Sequence, residues 1–144
     1  MLDADWPRIS SGPLAPEYAG KMAFRIVVLG GYGNFGGRIC RALATENEMW
    51  LGVAGRDAAR AAGVVRELGT FAAACEAVAI DHEARDFSAA RAAHRPDLVI
   101  HTSGPFQGQS YHVAEAAIAA GAHYIDLADG RAFVAGIGAL DDSA

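Results

Sequence analysis

The sequence FRIVVLGGYGNFGGRICRAL, residues 24–43, changes character twice over a short distance. It begins with the continuous apolar run Phe24–Leu29, which is typical of a strand buried on both faces of a sheet. Five glycines follow within eight residues, and a helical pattern begins at Asn34. Because each glycine raises the entropy cost of ordering the chain, the cluster indicates that this segment needs a bare backbone.

The glycines at residues 31–36 match the spacing G-x-G-x-x-G, and they lie directly between a predicted strand and a predicted helix. We expect Gly31 to permit the tight turn, Gly33 to admit a pyrophosphate and Gly36 to let the helix pack closely on the sheet. Free amides at the start of the helix would then hold the phosphate charge. A P-loop would need a lysine where Gly37 stands. The motif therefore predicts a dinucleotide site.

Short apolar runs alternate with alanine-rich helical stretches along the rest of the chain. Strands are predicted at Phe24–Leu29, Met49–Gly55, Ala77–Asp81, Asp97–Gly104 and His123–Asp129, and helices at 34–45, 57–68, 86–94, 110–120 and 131–140. In the first helix, Phe35, Ile39 and Leu43 are spaced four apart and are expected to form one apolar stripe. This alternation predicts an α/β fold, a doubly wound parallel sheet of the Rossmann type, with five strands in the order 3-2-1-4-5.

Length and charge restrict the possible classes of protein. The 144 residues predict one domain over residues 23–144, preceded by an irregular leader over residues 1–22. The net charge of −5, with Lys21 as the single lysine, argues against a nucleic-acid partner. No apolar run is long enough for a membrane span, and the first residues lack the features of a signal peptide. We therefore expect a cytoplasmic protein without a membrane partner.

The cysteines and histidines predict neither disulfides nor a metal. Cys40 and Cys75 lie in apolar surroundings, and we expect both to be buried free thiols. The five histidines are scattered over different predicted elements without the paired spacing of metal ligands. No metal site is therefore expected.

The segment VAGRD, residues 53–57, bears on the choice of cofactor. Arg56 lies twenty positions beyond Gly36, where an arginine suits the phosphate of NADP and an acidic residue suits the ribose of NAD. Gly55 is expected to leave room for that phosphate. Asp57 is either the NAD-type acid or the N-cap of the second helix, and we favour the N-cap. The prediction is thus NADP, with NAD as the less favoured cofactor.

Two further strand ends contribute candidate contacts. Asp81 ends the third predicted strand, where it either accepts a hydrogen bond from the adenine amino group or only forms a turn. Residues 102–105 end the fourth predicted strand at the topological switch point, where ligands bind in such sheets. The complete set of predicted cofactor contacts is Gly30, Gly31, Tyr32, Gly33, Asn34, Phe35, Gly36, Arg56, Asp81, Thr102, Ser103, Gly104 and Pro105.

The span Phe24–Val134 resembles the N-terminal cofactor domain of the saccharopine dehydrogenase-like oxidoreductases. The resemblance rests on VLGGYGNFGGRICRAL, on VAGRD, and above all on HTSGPFQGQSYHVAEAAIAAGAHYIDLADG, in that order. It implies that Arg56 holds the adenosine phosphate, that Ser103–Pro105 lie on the nicotinamide side, and that the pyrophosphate is held by Gly31, Gly33, Asn34, Phe35 and Gly36. It also implies NAD(P)-dependent oxidation or reduction. The substrates of known family members are opine-type amino acids or enoyl lipids.

Members of that family continue into a second domain that binds the small-molecule substrate and aids dimerisation. We therefore expect this chain to be the cofactor part of a longer enzyme, inactive on its own, with a homodimer possible for the whole protein. No catalytic residue is assigned. The alternative is a non-catalytic regulatory domain that senses a dinucleotide.

Overall fold

The computed structural model describes residues 23–69, 73–84, 86–87 and 93–144. The strands are β1 (Phe24–Leu29), β2 (Met49–Gly55), β3 (Ala74–Ala79), β4 (Leu98–His101) and β5 (His123–Asp126). The helices are α1 (Asn34–Leu43), α2 (Ala58–Leu68), α3 (His112–Ala119) and α4 (Arg131–Gly136), followed by a 3-10 helix at Ile137–Ser143. The predicted leader and most of the predicted helix at 86–94 lie outside the described residues.

The five strands form one parallel sheet in the order β3-β2-β1-β4-β5. The predicted doubly wound α/β fold and its strand order are confirmed. β1 pairs with β2 on one side and with β4 on the other, so the direction of strand addition reverses between β1 and β4. Among the described helices, none combines the length and the apolar character needed to cross a membrane.

The side chains of β1 alternate between two apolar layers, as parallel strands with helices on both faces require. Val27 and Leu29 pack in the layer that includes α3, and Ile26 and Val28 pack in the layer that includes α1 and α2. All four side chains are almost completely buried. This anchoring of β1 in both layers fixes where its carboxyl end, and hence the glycine loop, lies.

Two strands end earlier than predicted. β4 stops at His101 rather than Gly104, because β1 ends at Leu29 and offers no ladder partner beyond it. The Thr102 amide donates to the Leu29 carbonyl at 2.9 Å, and the chain then turns away from the sheet. β5 stops at Asp126 rather than Asp129, since the Asp126 carboxylate accepts the Ala128 N–H at 3.0 Å and closes a turn.

The third strand is displaced from its predicted position, from Ala77–Asp81 to Ala74–Ala79. Its register with β2 begins at the pair Trp50–Ala74, earlier than the apolar run suggests. Glu76 interrupts that run, but it belongs in the strand because its carboxylate accepts the Trp50 indole N–H at 3.2 Å. The edge position of β3 makes a charged residue tolerable there.

The predicted apolar stripe of α1 is only partly correct. The Phe35 side chain is 63% exposed, and the buried residues of this helix are Gly36, Gly37 and Cys40. The helix turns its glycines toward the sheet because that face must approach the strands more closely than a large side chain allows. The other described helix ends agree with prediction within one or two residues, except that α4 gives way to the 3-10 helix after Gly136.

Both cysteines are free, as predicted, but only Cys40 is fully buried, and Cys75 is half-buried. Burial raises the pKa of the Cys40 thiol to about 12, and burial also raises the pKa of Cys75. We expect a maleimide to label Cys75 at least about tenfold faster than Cys40 in the native protein, because the thiolate is the reactive form. Mass spectrometry of tryptic peptides at timed intervals measures the two rates.

The control for this labelling is the same protein in urea, where both cysteines should react at similar rates. Equal rates in the native protein would contradict the burial of Cys40.

Candidate functional site

A cleft of about 1000 Å³ lies along the carboxyl ends of four strands. Its lining includes Leu29 at the end of β1, Gly55 at the end of β2, Ile80 just beyond β3 and Thr102 just beyond β4. The cleft therefore crosses the point between β1 and β4 where the strand order reverses. This is where ligands bind in doubly wound sheets.

The turn of the glycine loop is made at Gly30, not at Gly31 as predicted. Gly30 has φ of +79°, a conformation that side-chain-bearing residues rarely adopt. Gly31 is required for a different reason, since a Cβ there would lie 2.9 Å from Cγ1 of Val53 on β2. Gly36 behaves as predicted: a Cβ on it would collide with the Gly30 carbonyl oxygen and lie 2.7 Å from Thr102 Oγ1.

The start of α1 faces this loop without a capping side chain. Gly33 is the N-cap and makes no side-chain hydrogen bond, so it leaves the amides of the first helical turn to other partners. Gly30, Tyr32 and Gly33 line the cleft, whereas the exposed Phe35 side chain lines a second cavity of about 590 Å³ beside it. The geometry is that of a bare helix start suited to an anion.

Tyr32 connects the glycine loop to the end of β2. Its hydroxyl accepts the Asp57 N–H at 3.1 Å, and the Arg60 guanidinium carbon lies 4.5 Å from the centre of its ring. The ring also occupies the space beside Gly55, where any Cβ would collide with it. Gly55 thus leaves room for the ring of Tyr32. This arrangement does not show the room for a phosphate that we expected beside Gly55.

Arg56 reaches the cleft from the end of β2 and meets a carboxylate there. Its Nη1 lies 3.9 Å from Oε2 of Glu83, and both side chains are largely exposed, at 70% and 68%.

Asp57, next to Arg56, is the N-cap of α2, because its Oδ1 accepts the backbone N–H groups of Ala59 and Arg60 at 3.0 Å each. The prediction that Asp57 is the N-cap of the second helix is confirmed.

Asp81 lies two residues beyond the end of β3 and forms a turn. Its Oδ1 accepts the Glu83 N–H at 3.0 Å. The neighbouring His82 and Glu83 line the cleft, and Asp81 is not among the residues that line it. A contact between Asp81 and adenine stays a prediction.

Residues 102–105 line the cleft on the opposite side from Arg56, at the end of β4. Thr102 Oγ1 donates to the Leu29 carbonyl at 2.8 Å, which ties this loop to the end of β1. The Gln109 side-chain amide donates to the carbonyls of Ser103 at 2.9 Å and Pro105 at 2.6 Å. These three bonds anchor the loop beside the glycine loop.

Three histidines lie together beside the cleft. His82 and His112 line it, and His101 lies beneath them, with the His82 and His101 ring centres 5.1 Å apart. Burial lowers the pKa of His101 to about 4, and burial also lowers the pKa of His82. Burial and the nearby Asp126 carboxylate raise the pKa of Tyr124, whose hydroxyl lies 3.2 Å from His101 Nδ1. In the described ranges no group of His, Cys, Asp or Glu has a metal-binding arrangement.

Residues 26–137 match the family model described as the saccharopine dehydrogenase NADP binding domain. The match covers most of the chain, including the whole cleft and all five strands except the first two residues of β1. The chain belongs to this family. It binds a nicotinamide dinucleotide, and NADP is its cofactor. No curated protein gives a significant match.

The cleft fits the NADP of this family in three respects. Its volume is at the upper end of the range of about 300–1000 Å³ that small-molecule sites occupy. Two arginines, Arg56 and Arg60, line one end of the cleft, and the extra phosphate of NADP needs positive charge of this kind. The uncapped start of α1 lies between that end and residues 102–105, as a pyrophosphate midway along a dinucleotide requires.

Sequence reasoning missed several residues that line the cleft. The most informative are Arg60, His82, Glu83, Gln109 and His112. A usable signal for Arg60 was its place in the first turn of the predicted helix that follows Arg56, because the start of that helix lies beside the end of β2. The other four follow no motif, because they reach the cleft only through the path of the loops after β3 and β4.

Proposed function

We propose that this chain is the cofactor-binding part of an NADP-dependent oxidoreductase of the saccharopine dehydrogenase family. When bound, the nicotinamide supplies the hydride chemistry, in which two electrons and one hydrogen pass between its C4 and a carbon of the substrate. The residues of this chain bind and orient the cofactor. The substrate would be held by a further domain, as in the family. The continuous cleft from Arg56 to Pro105 is the observation that carries the proposal.

Each part of the cleft is suited to one part of the cofactor. The amides of residues 34–36, in the first turn of α1, would hold the pyrophosphate, because no capping side chain occupies them. The amides of Gly30, Gly31 and Gly33 already donate to backbone carbonyls and instead fix the shape of the loop. Arg56 would bind the 2′-phosphate of the adenosine through its fork of N–H donors. Thr102–Pro105, held by Gln109, would contact the nicotinamide ribose.

The cytoplasm is the proposed location of the protein. The two free cysteines support this location, because disulfides are rare in the reducing cytoplasm.

Replacing Arg56 with alanine tests the phosphate contact. We expect NADPH affinity to fall about tenfold to a hundredfold, because charge-assisted hydrogen bonds contribute about 1.5–3 kcal/mol. NADH affinity should change less than about threefold, since NADH has no 2′-phosphate for Arg56 to bind. Calorimetric titration of wild type and variant with both cofactors measures the ratio.

Arg66→Ala is the matched control, because Arg66 is an exposed arginine of α2 outside the cleft. It should leave both affinities unchanged. An unchanged NADPH/NADH ratio in Arg56→Ala would show that the 2′-phosphate is recognised elsewhere.

The oxidoreductase step is tested separately from binding. The protein, with the rest of its natural chain, should consume NADPH when it is given a carbonyl or imine acceptor, as followed by loss of absorbance of the reduced nicotinamide. A full-length protein that binds NADPH tightly but consumes none with any such acceptor would favour the regulatory alternative.

A further inference from the structure

At the adenosine end of the cleft, three charged side chains from three different segments lie together. Arg56 follows β2, Arg60 lies in the first turn of α2, and Glu83 lies in the loop after β3. All three line the cleft, and Arg56 and Glu83 are within ion-pair distance at 3.9 Å. A ligand with a phosphate at this end therefore meets both a pair of cations and a carboxylate.

We propose that Glu83 is an exchangeable counter-ion, which the 2′-phosphate of NADP displaces from Arg56, and that Arg60 is the second cation of the phosphate site. The proposal rests on the proposed function and deepens it. In this proposal three residues set how strongly the site prefers adenosine with a 2′-phosphate over adenosine with a 2′-hydroxyl. Glu83 weakens the preference for the phosphate, and the two arginines strengthen it.

The exchange of Glu83 follows from charge and exposure. A phosphate that binds Arg56 adds a second anion to a guanidinium whose Nη1 already lies 3.9 Å from Oε2 of Glu83, and two anions on one guanidinium repel each other. Because Glu83 is 68% exposed, it can rotate into solvent without losing buried contacts. It should therefore act as a competitor for Arg56 rather than as a barrier to NADP.

Arg60 is held near the same position by contacts within the protein. Its guanidinium lies 4.5 Å from the ring centre of Tyr32, a cation–π contact that limits where the long side chain can go. Tyr32 is itself fixed, because its hydroxyl accepts the Asp57 N–H. An arginine positioned in this way can bind a phosphate with less loss of side-chain entropy than a fully mobile one.

The test compares two small probes, 2′,5′-ADP and 5′-AMP, which differ only in the 2′-phosphate. We expect Glu83→Gln to raise affinity for 2′,5′-ADP about threefold to tenfold, since exposed charge pairs contribute modestly and the phosphate carries up to two charges. Affinity for 5′-AMP should stay within about twofold. Arg60→Ala should lower affinity for 2′,5′-ADP about fivefold without affecting 5′-AMP. Calorimetric titration at low salt measures the affinity of wild type and of each variant for both probes.

Glu67→Gln is the matched control for Glu83→Gln. It removes the same charge from an equally exposed carboxylate, which pairs with Arg41 at 3.1 Å outside the cleft. It should change neither affinity, and Arg66→Ala serves in the same way for Arg60→Ala. Thermal unfolding of each variant checks that the fold is retained.

Three results would overturn the inference while leaving the proposed function intact. The first is a change in 2′,5′-ADP affinity in Glu83→Gln that is no larger than the change in Glu67→Gln. The second is a fall in 2′,5′-ADP affinity in Glu83→Gln. The third is a ratio of 2′,5′-ADP to 5′-AMP affinity that Arg60→Ala leaves unchanged. A wild-type protein that binds neither NADPH nor 2′,5′-ADP would instead contradict the proposed function.

Discussion

Replacing Gly36 with alanine is expected to destabilise the protein by about 3 kcal/mol and to abolish measurable binding of NADPH. The added methyl group would collide with the Gly30 carbonyl oxygen and would lie 2.7 Å from Thr102 Oγ1. The Gly30 carbonyl cannot retreat easily, because it accepts the Gly33 N–H at 2.8 Å within the turn. Helix α1 would have to move away from the sheet, and the amides at its start, which we propose bind the pyrophosphate, would move with it.

Urea unfolding and calorimetric titration with NADPH measure the two effects. Gly63→Ala is the matched control, since Gly63 lies within α2 and a Cβ there meets only the Arg66 guanidinium, at 3.8 Å. That variant should be slightly more stable than wild type, by about 0.5–1 kcal/mol, because alanine favours the helix. A Gly36→Ala protein with wild-type stability and binding would show that α1 does not need this close approach.

Acidification is expected to remove about 3 kcal/mol of stability through His101 as the pH falls from 7 toward 4. His101 is 1% exposed, and burial lowers its pKa in the folded protein from 6.5 to about 4. The unfolded chain therefore takes up a proton at higher pH than the folded protein does. The contribution of His101 is fully present above pH 6.5 and is lost as the pH falls toward the folded pKa.

Urea unfolding at a series of pH values measures this loss. Carboxyl groups titrate in the lower part of the same range, so the relevant quantity is the difference between wild type and His101→Gln. The variant should show a shallower fall in unfolding free energy with acid, whereas His123→Gln, at an exposed position, should follow the wild type. Parallel curves for wild type and His101→Gln would mean that His101 is accessible to protons in the folded state.

Several features of the site could be predicted because they depend on neighbours in the sequence. The apolar run Phe24–Leu29, followed by closely spaced glycines, specifies a buried strand and a tight connection to a helix. Asp57 is a helix cap because its side chain bonds to amides two and three residues later. Such interactions do not depend on the rest of the fold, so the pattern alone is sufficient evidence.

Other features were predicted incorrectly, since they depend on partners that the local pattern does not contain. β3 includes Glu76 because β2 supplies both its register and the indole N–H of Trp50. Phe35 is exposed because the sheet requires the glycine face of α1, although its spacing matches that of a core residue. In both cases packing against a distant strand outweighed the local periodicity.

Local spacing was enough to establish the order of the described strands and helices, the glycine loop at the start of α1, and the position of Arg56 directly after β2. Only the folded chain brings Glu83 to Arg56, the ring of Tyr32 to Gly55 and His82 to the buried His101. These partners come from separate loops, and it is the parallel order of the sheet that collects the loops at one edge. The short-range pattern of residues carries no information about those distances.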